Sequence, residues 1–261
     1  MRDSTGLLVK GKTEPKPVYE RWQWGLSLGG PVLKDRVHFF ASYEENRQDR
    51  AGRVIRGTVT GAPAALIEPL NRFEGTFTSP FREKLLFAKG SWQPRQDQRA
   101  ELTYNLRNET DIRGFGGQGA GTDTSFEAAE NVRNRVHSVM GKYQFGGSQW
   151  LNEAYLSYQR YRWNPVPLND TLVGLEYQGL MRIGGRDTEQ LFRQQRISLR
   201  DDMARFAAWR GSHTAKFGGV LSFLDYEVRK EFAGNPVFRF RSAENFGFPF
   251  VSRSLGVSHS S

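Results

Sequence analysis

The sequence predicts an all-β fold of about eight or nine antiparallel strands, arranged up and down in four hairpins. Two observations carry this prediction. Apolar and polar residues alternate with a period of two along several runs of the 261-residue chain, and short and long connections follow one another in turn. Such alternation is typical of strands that are apolar on one face only. No helix-like segment of useful length is present, apart from one short helical turn expected at 63–69.

Five runs show the alternation clearly, with an apolar or small residue at every second position. These positions are Trp22, Trp24, Leu26 and Leu28; Val37, Phe39, Ala41 and Tyr43; Ala100, Leu102, Tyr104 and Leu106; Ala154, Leu156 and Tyr158; and Ala215, Phe217, Gly219, Leu221 and Phe223. Three further runs, at 84–92, 134–145 and 192–203, are weaker, and in the first two apolar residues fall on both faces.

The lengths of the connections distinguish a membrane barrel from a soluble sandwich. Short turns are expected at 33–36, 94–98, 146–148 and 210–212, and long polar segments at 45–81, 108–131 and 162–190. Outer-membrane barrels have short periplasmic turns and long extracellular loops, whereas loop lengths in a sandwich have no reason to alternate. The strands are expected to have roughly the 9–11 residues of a tilted membrane crossing. The pattern therefore predicts a transmembrane antiparallel up-and-down β-barrel.

Composition is compatible with this prediction. Hydrophobic residues make up 38% of the chain, and no stretch approaches the roughly 20 apolar residues of a transmembrane helix. The aromatic content of 13% suits interfacial girdles, although on composition alone a soluble sandwich with an aromatic core explains it equally well. The chain has no cysteine, which excludes disulfides and thiolate chemistry.

The net charge of +9 is compatible with nucleic acid or an anionic membrane surface as partner. The basic residues are scattered along strands and loops, and no nucleic-acid-binding module is recognisable. We therefore favour arginines that line a wet interior, and we expect no nucleic-acid partner.

Motifs for catalysis or cofactor binding are weak throughout. Residues 114–119 match G-x-G-x-x-G, but no helix is expected after them, so a loop is the better interpretation. The histidines have no metal-ligand spacing; they are His38, His137, His213 and His259. Asp201 and Asp202 are consecutive strand positions, whose side chains point to opposite faces. We expect no enzyme activity, no metal and no cofactor.

Inward-facing arginines remain as candidate ligand contacts. Arg107, Arg160 and Arg162 approach the loop side of their strands and are expected to face the interior. There they meet either an anionic or sugar-like ligand, or the salt bridges and solvated polar lining of the lumen. The second alternative is favoured for each of them, so the sequence assigns no ligand-binding residue.

The segment from Leu26 to Glu44 resembles the first barrel hairpin of TonB-dependent outer-membrane receptors, in particular the Oar-like group. It reads LSLGGPVLKDRVHFFASYE, with a glycine pair and a proline, a Lys-Asp turn and an aromatic strand. Phe39 and Tyr43 are expected to face lipid. Segment 78–92, and segments 199–202 and 211–219 together, resemble later parts of the same barrel.

This resemblance implies the front part of a larger barrel, which in that family closes with about 22 strands after a plug domain. The expectation is an incomplete barrel at 21–261 after a disordered or linker lead-in at 1–20, in the outer membrane of a Gram-negative bacterium. No signal peptide is visible in the printed sequence.

The implied function is uptake of a bulky nutrient without catalysis. The implied partners are outer-membrane lipid, an unknown nutrient ligand, and the TonB complex through a plug domain that the sequence does not show. The alternatives are a soluble β-sandwich that binds carbohydrate and a small complete outer-membrane barrel.

Overall fold

The structure, a computed structural model, describes residues 19–117, 122–232 and 234–240. Its elements follow in chain order. They are β1 (Tyr19–Leu33), β2 (Val37–Val54), α1 (Ala64–Asn71), β3 (Gly75–Arg95), β4 (Gln98–Arg113), β5 (Asp123–Thr124), a 3₁₀ turn (Phe126–Ala128), β6 (Glu130–Gly146), β7 (Trp150–Pro167), β8 (Gly174–Tyr177), β9 (Met181–Ile183), β10 (Thr188–Ala208), β11 (Ser212–Phe232) and β12 (Val237–Phe240). No helix in these ranges is long and apolar enough to cross a membrane.

Eight long strands form one antiparallel sheet in the order β1-β2-β3-β4-β6-β7-β10-β11. The four predicted hairpins are confirmed, with each short turn joining two neighbouring strands. In the described part of the chain β1 and β11 do not pair with each other, so the sheet is open. The open sheet argues against a small complete barrel. A sandwich is also wrong, because the buried apolar residues do not lie between two packed sheets.

The short turns have the chemistry that their sequences predict. In the first, the amide of Arg36 donates to the carbonyl of Leu33 at 3.1 Å, and Asp35 has a φ of 62°, a conformation that aspartate tolerates better than most residues. In the last, Gly211 has a φ of 138°, which a residue with a side chain rarely adopts. All four short turns lie at the same end of the long strands.

The long strands are longer than expected. They contain 15 to 21 residues, whereas a membrane crossing needs only about 9–11. The extra residues come from the predicted loops, since β2 continues to Val54 and β3 begins at Gly75. Cross-strand polar pairs at this end of the sheet, such as Arg82 with Asp49, show that the hairpins continue beyond the apolar zone.

The two faces of the sheet differ as the alternation predicts. Directly opposed residues of an antiparallel pair point to the same face, and the register connects apolar residues across all eight strands. One such row contains Leu28, Ala41, Ala88, Tyr104, Val139, Tyr158, Ile197 and Phe223. Leu28 and Phe223 are each 64% exposed. This continuous apolar belt is the outward face, and lipid is the medium that covers such a surface.

The long connections fold into a second unit at the opposite end of the long strands. This unit, here called the cap, is formed by residues 55–74, 114–117, 122–129, 168–187 and 234–240. Four short strands form its sheet in the order β12-β8-β9-β5. The helix α1, predicted as a short turn, belongs to it. The lead-in predicted at 1–20 falls mostly on residues 1–18, outside the described part of the chain, and β1 begins at Tyr19.

The cap contains most of the buried apolar side chains. Leu70 on α1 packs with Tyr177, Leu180 and Phe240, and the rings of Tyr177 and Phe240 stack with centroids 4.6 Å apart. Burial raises the pKa of Tyr177 above its ordinary value. The cap is thus packed around a core of its own.

Candidate functional site: the concave face of the sheet

The inward face of the sheet is a ladder of acids and bases on neighbouring strands. Arg107 on β4 reaches Glu83 on β3, with Nε 3.0 Å from Oε1, and the amide of Asn46 on β2 donates to the same carboxylate at 3.4 Å. On β1, Gln23 donates to Glu44 at 2.7 Å. Charges buried from bulk water need such partners, and together they make this wall polar without a large net charge.

The same arrangement continues along the sheet. The ammonium group of Lys89 lies 3.1 Å from Glu101. The ammonium group of Lys142 lies 2.6 Å from Glu153 and 5.2 Å from the ring centre of Tyr155. Alternating signs on adjacent strands give a wall that water and polar solutes can wet.

One stretch of the inward face is apolar and concave. A hollow of about 710 Å³ lies over β1 to β6, and its apolar inward-facing side chains include Leu85, Phe87 and Val136. Its polar edge includes Glu44 and Arg107. Volumes of about 300–1,000 Å³ are usual for sites that hold small organic molecules.

Small residues on β1 leave room for this hollow. Gly25 and Ser27 line it, and an added side chain at Gly29 would meet the ring of Phe40 at 2.9 Å. The Phe40 and Phe87 rings lie 5.9 Å apart at an interplanar angle of 60°. The result is an apolar floor with a carboxylate, a guanidinium and hydroxyl groups around it, which suits an amphipathic occupant.

Sequence reasoning missed the hollow, although its signal was present. The runs at 84–92 and 134–145 are weak because Leu85, Phe87 and Val136 are apolar residues on the polar face. Their outward neighbours, such as Leu86 and Val139, keep the expected pattern. Breaks in the alternation of adjacent strands therefore marked an apolar site in the interior.

The prediction for the three arginines was correct for one and wrong for two. Arg107 faces the interior, but Arg160 and Arg162 face outward, because they lie at the same alternate positions of β7 as Leu156 and Tyr158. Their directly opposed partners on β6 are His137 and Arg135. The same alternation with a period of two places both the apolar belt and these two arginines on the outward face.

The remaining sequence candidates lie apart from the hollow. Gly114 and Gly116 have a φ of 80° in the loop after β4, and no helix of the described residues follows them directly. Asp201 accepts a hydrogen bond from Asn152 on the outward face at 2.8 Å, while Asp202 pairs with Arg200 on the inward face at 2.6 Å, as predicted. Among the described residues no group of three or more histidine, aspartate or glutamate side chains is arranged to hold a metal ion. His259 lies outside the described residues.

The fold and its two faces are those of part of an outer-membrane β-barrel. Residues 7–66 match a family described as an outer membrane beta barrel domain. No curated protein matches the chain. The fold and this match together place the protein in the bacterial outer membrane.

Among solved structures, the chain is similar to the outer membrane transporter YddB from Escherichia coli. The TM-score is 0.63 at 10% sequence identity, and the match covers 86% of this chain and 28% of YddB. The chain therefore has the fold of part of an outer-membrane barrel, and it spans less than a third of the length of this similar protein.

Proposed function

We propose that the chain forms the front part of the barrel wall of a TonB-dependent importer, which takes up a bulky nutrient without catalysing a reaction. The observation that carries this proposal is the inward face, where paired charges line a wet wall around one apolar hollow. A transporter needs such a lined passage. The fold likeness to an outer membrane transporter and the resemblance of the Leu26–Glu44 hairpin to TonB-dependent receptors support it.

The partners follow from the same proposal. Outer-membrane lipid covers the apolar belt, and TonB acts through a plug domain, which the described residues do not include. The nutrient is unidentified. The apolar floor and charged rim of the hollow favour an amphipathic molecule over a simple inorganic ion.

The test is uptake by cells that carry the full-length protein as their only copy, compared with a deletion strain on a panel of scarce nutrients. We expect one nutrient whose uptake needs both this protein and TonB. Uptake that persists unchanged in a strain without TonB contradicts energised import.

A matched pair of variants tests the role of the hollow. Ser42 lines the hollow, whereas Ala41 lies in the outward apolar row. Ser42→Trp fills the hollow and should lower uptake at least tenfold, while Ala41→Trp places an aromatic ring against lipid and should leave uptake near the parent level. Equal uptake by the two variants would show that the hollow is not on the path.

A further inference from the structure

The outward face carries a cluster of arginines directly above the apolar belt. On the three neighbouring strands β6, β7 and β10, Arg135, Arg162 and Arg193 occupy directly opposed positions in one row. Arg160 lies one alternate position closer to the belt and Arg133 one position farther from it. We call these five residues the arginine patch.

The position of the patch relative to lipid follows from two tyrosines of the apolar belt. The hydroxyl of Tyr104 lies 2.9 Å from Nδ1 of His137, and the hydroxyl of Tyr158 donates to Gln195 at 3.0 Å. His137 and Gln195 are the residues directly opposite Arg160 on β6 and β10. Both tyrosine hydroxyls thus form hydrogen bonds at the level of Arg160. Tyrosines with an apolar ring and a bonded hydroxyl are typical of the lipid–water interface. The patch therefore begins at the level of the lipid headgroups, on the side of the cap.

The charges of the patch are largely uncompensated by protein. Within the described ranges Arg193 has an acidic partner, Glu227 at 2.5 Å, but no ion pair is formed by Arg133, Arg135, Arg160 or Arg162. Arg135 donates to Asn108 at 3.3 Å, and Arg162 to Asn164 at 3.2 Å. These neutral amides hold the guanidinium groups without neutralising them.

Like charges directly opposite each other across a strand pair are unfavourable, and Arg135 faces Arg162 in this way. The inward face, in contrast, alternates acids and bases. A bound anion between the guanidinium groups removes the repulsion, and guanidinium groups bind phosphate by paired hydrogen bonds.

We propose that the arginine patch binds the phosphate groups of an anionic lipid of the outer leaflet, with the acyl chains of that lipid lying against the apolar belt below. Charge complementarity and the continuity of the patch with the belt assign the occupant as a phosphorylated lipid. Arg135 and Arg162 are the central phosphate contacts, and Arg133 and Arg160 flank them.

The test measures binding of fluorescent diphosphoryl lipid A, in mixed detergent micelles, to the purified full-length protein. Since each basic residue near an anionic surface strengthens binding roughly fivefold, the double variant Arg135→Gln/Arg162→Gln should bind about 25-fold more weakly. Arg135→Lys/Arg162→Lys keeps both charges but loses the paired hydrogen bonds, and should bind more weakly than the parent and more tightly than the glutamine variant. Arg196→Gln removes an arginine from the inward face of β10 and should leave binding unchanged.

Three results overturn the proposal. One is equal binding by the double glutamine variant and the parent, when both resist unfolding by SDS at room temperature as folded barrels do. Another is equal binding of lipid A with and without its phosphates. Saturation by micromolar inorganic phosphate alone, without any gain from the acyl chains, assigns a free anion instead of a lipid and also overturns it.

Discussion

The eight-stranded sheet, here called the wall, and the cap use their apolar side chains in opposite ways. In the wall, Leu102 and Leu221 are 59% and 55% exposed, whereas Leu180 and Met181 in the cap are fully buried. The wall is therefore stable only where lipid covers it, because the sheet supplies hydrogen bonds but no core. The cap folds as a small water-soluble protein does, around packed side chains. Substitutions should accordingly change the stability of the wall through its contact with lipid, and the stability of the cap through the packing of its core.

The largest expected effect belongs to the core of the cap. Leu180→Ala removes a fully buried side chain that packs against Leu70 and Tyr177, and such truncations cost about 2–5 kcal/mol. We expect faster amide hydrogen exchange across the cap, with exchange in β4 and β6 unchanged. Leu172→Ala, at a cap position that is 44% exposed, is the matched control. Slow exchange retained in the Leu180 variant would contradict an independently packed core.

The wall should respond to charge at the membrane midplane. Leu102→Arg places a cation on the lipid face, at a cost of about 2–4 kcal/mol, and should impair assembly of the full-length barrel. Thr103→Arg places the same side chain on the wet face and should be mild. The amount of heat-modifiable barrel in outer-membrane preparations measures the difference. Similar losses for the two variants would refute the assignment of the faces.

The sequence predicted the wall well because the wall obeys a local rule. Period-two alternation placed Trp24, Leu102 and Phe223 on the lipid face without knowledge of any long-range contact. The same rule, followed farther along β7, would have placed Arg160 and Arg162 outward too. Strand ends were missed because their polar residues, such as Arg82 and Asp49, look like loop residues although they pair across strands.

The cap and the hollow could not be predicted in the same way. The core of the cap brings Leu70, Leu180 and Phe240 together from three separate segments. No local periodicity in the sequence indicates that these residues pack together. The hollow needs both a break in alternation on β3 and the small residues Gly25 and Ser27 two strands away on β1. Only the order of the strands in the sheet connects these signals.

The contact between the wall and the cap at Gly52 and Phe115, here called the seam, should show an effect of intermediate size when it is overpacked. Phe115 from the loop after β4 lies over Gly52, where an added Cβ would meet its ring at 2.3 Å. Phe126 stacks on Phe77 with ring centres 5.2 Å apart. Gly52→Ala should cost about 1–3 kcal/mol by overpacking, measured as a loss of protection from protease in residues 114–117 and 122–129.

A double-mutant cycle isolates this contact. In a Phe115→Ala background the added methyl group meets no ring, so the Gly52→Ala penalty should nearly vanish. Gly30→Ala is the control, because nothing lies within 4 Å of the added atom. A penalty that is unchanged by Phe115→Ala would place the strain in the strand and not at the seam.

The smallest effect is electrostatic and belongs to the cap alone. Burial raises the pKa of Asp187, but this is outweighed by the hydrogen bond from Arg182 at 2.8 Å and by its charge, so the pKa lies below the ordinary value of 3.8. A lowered pKa in the folded state means that the ion pair contributes fully above that value, and that its contribution is lost as the pH falls below it.

Because Arg182 and Asp187 are partly exposed, the pair should contribute only about 1 kcal/mol. Asp187→Asn should therefore speed hydrogen exchange in β9 modestly at pH 7, and this acceleration relative to the parent should become smaller as the pH falls below the ordinary value of 3.8. Asp170→Asn, in the same connection, should change neither value. Exchange in β4 should not differ between the parent and Asp187→Asn at either pH, because the substituted side chain lies in the cap. An acceleration of equal size in β4 and β9 would mean that wall and cap unfold as one unit, against the separation that their different cores imply.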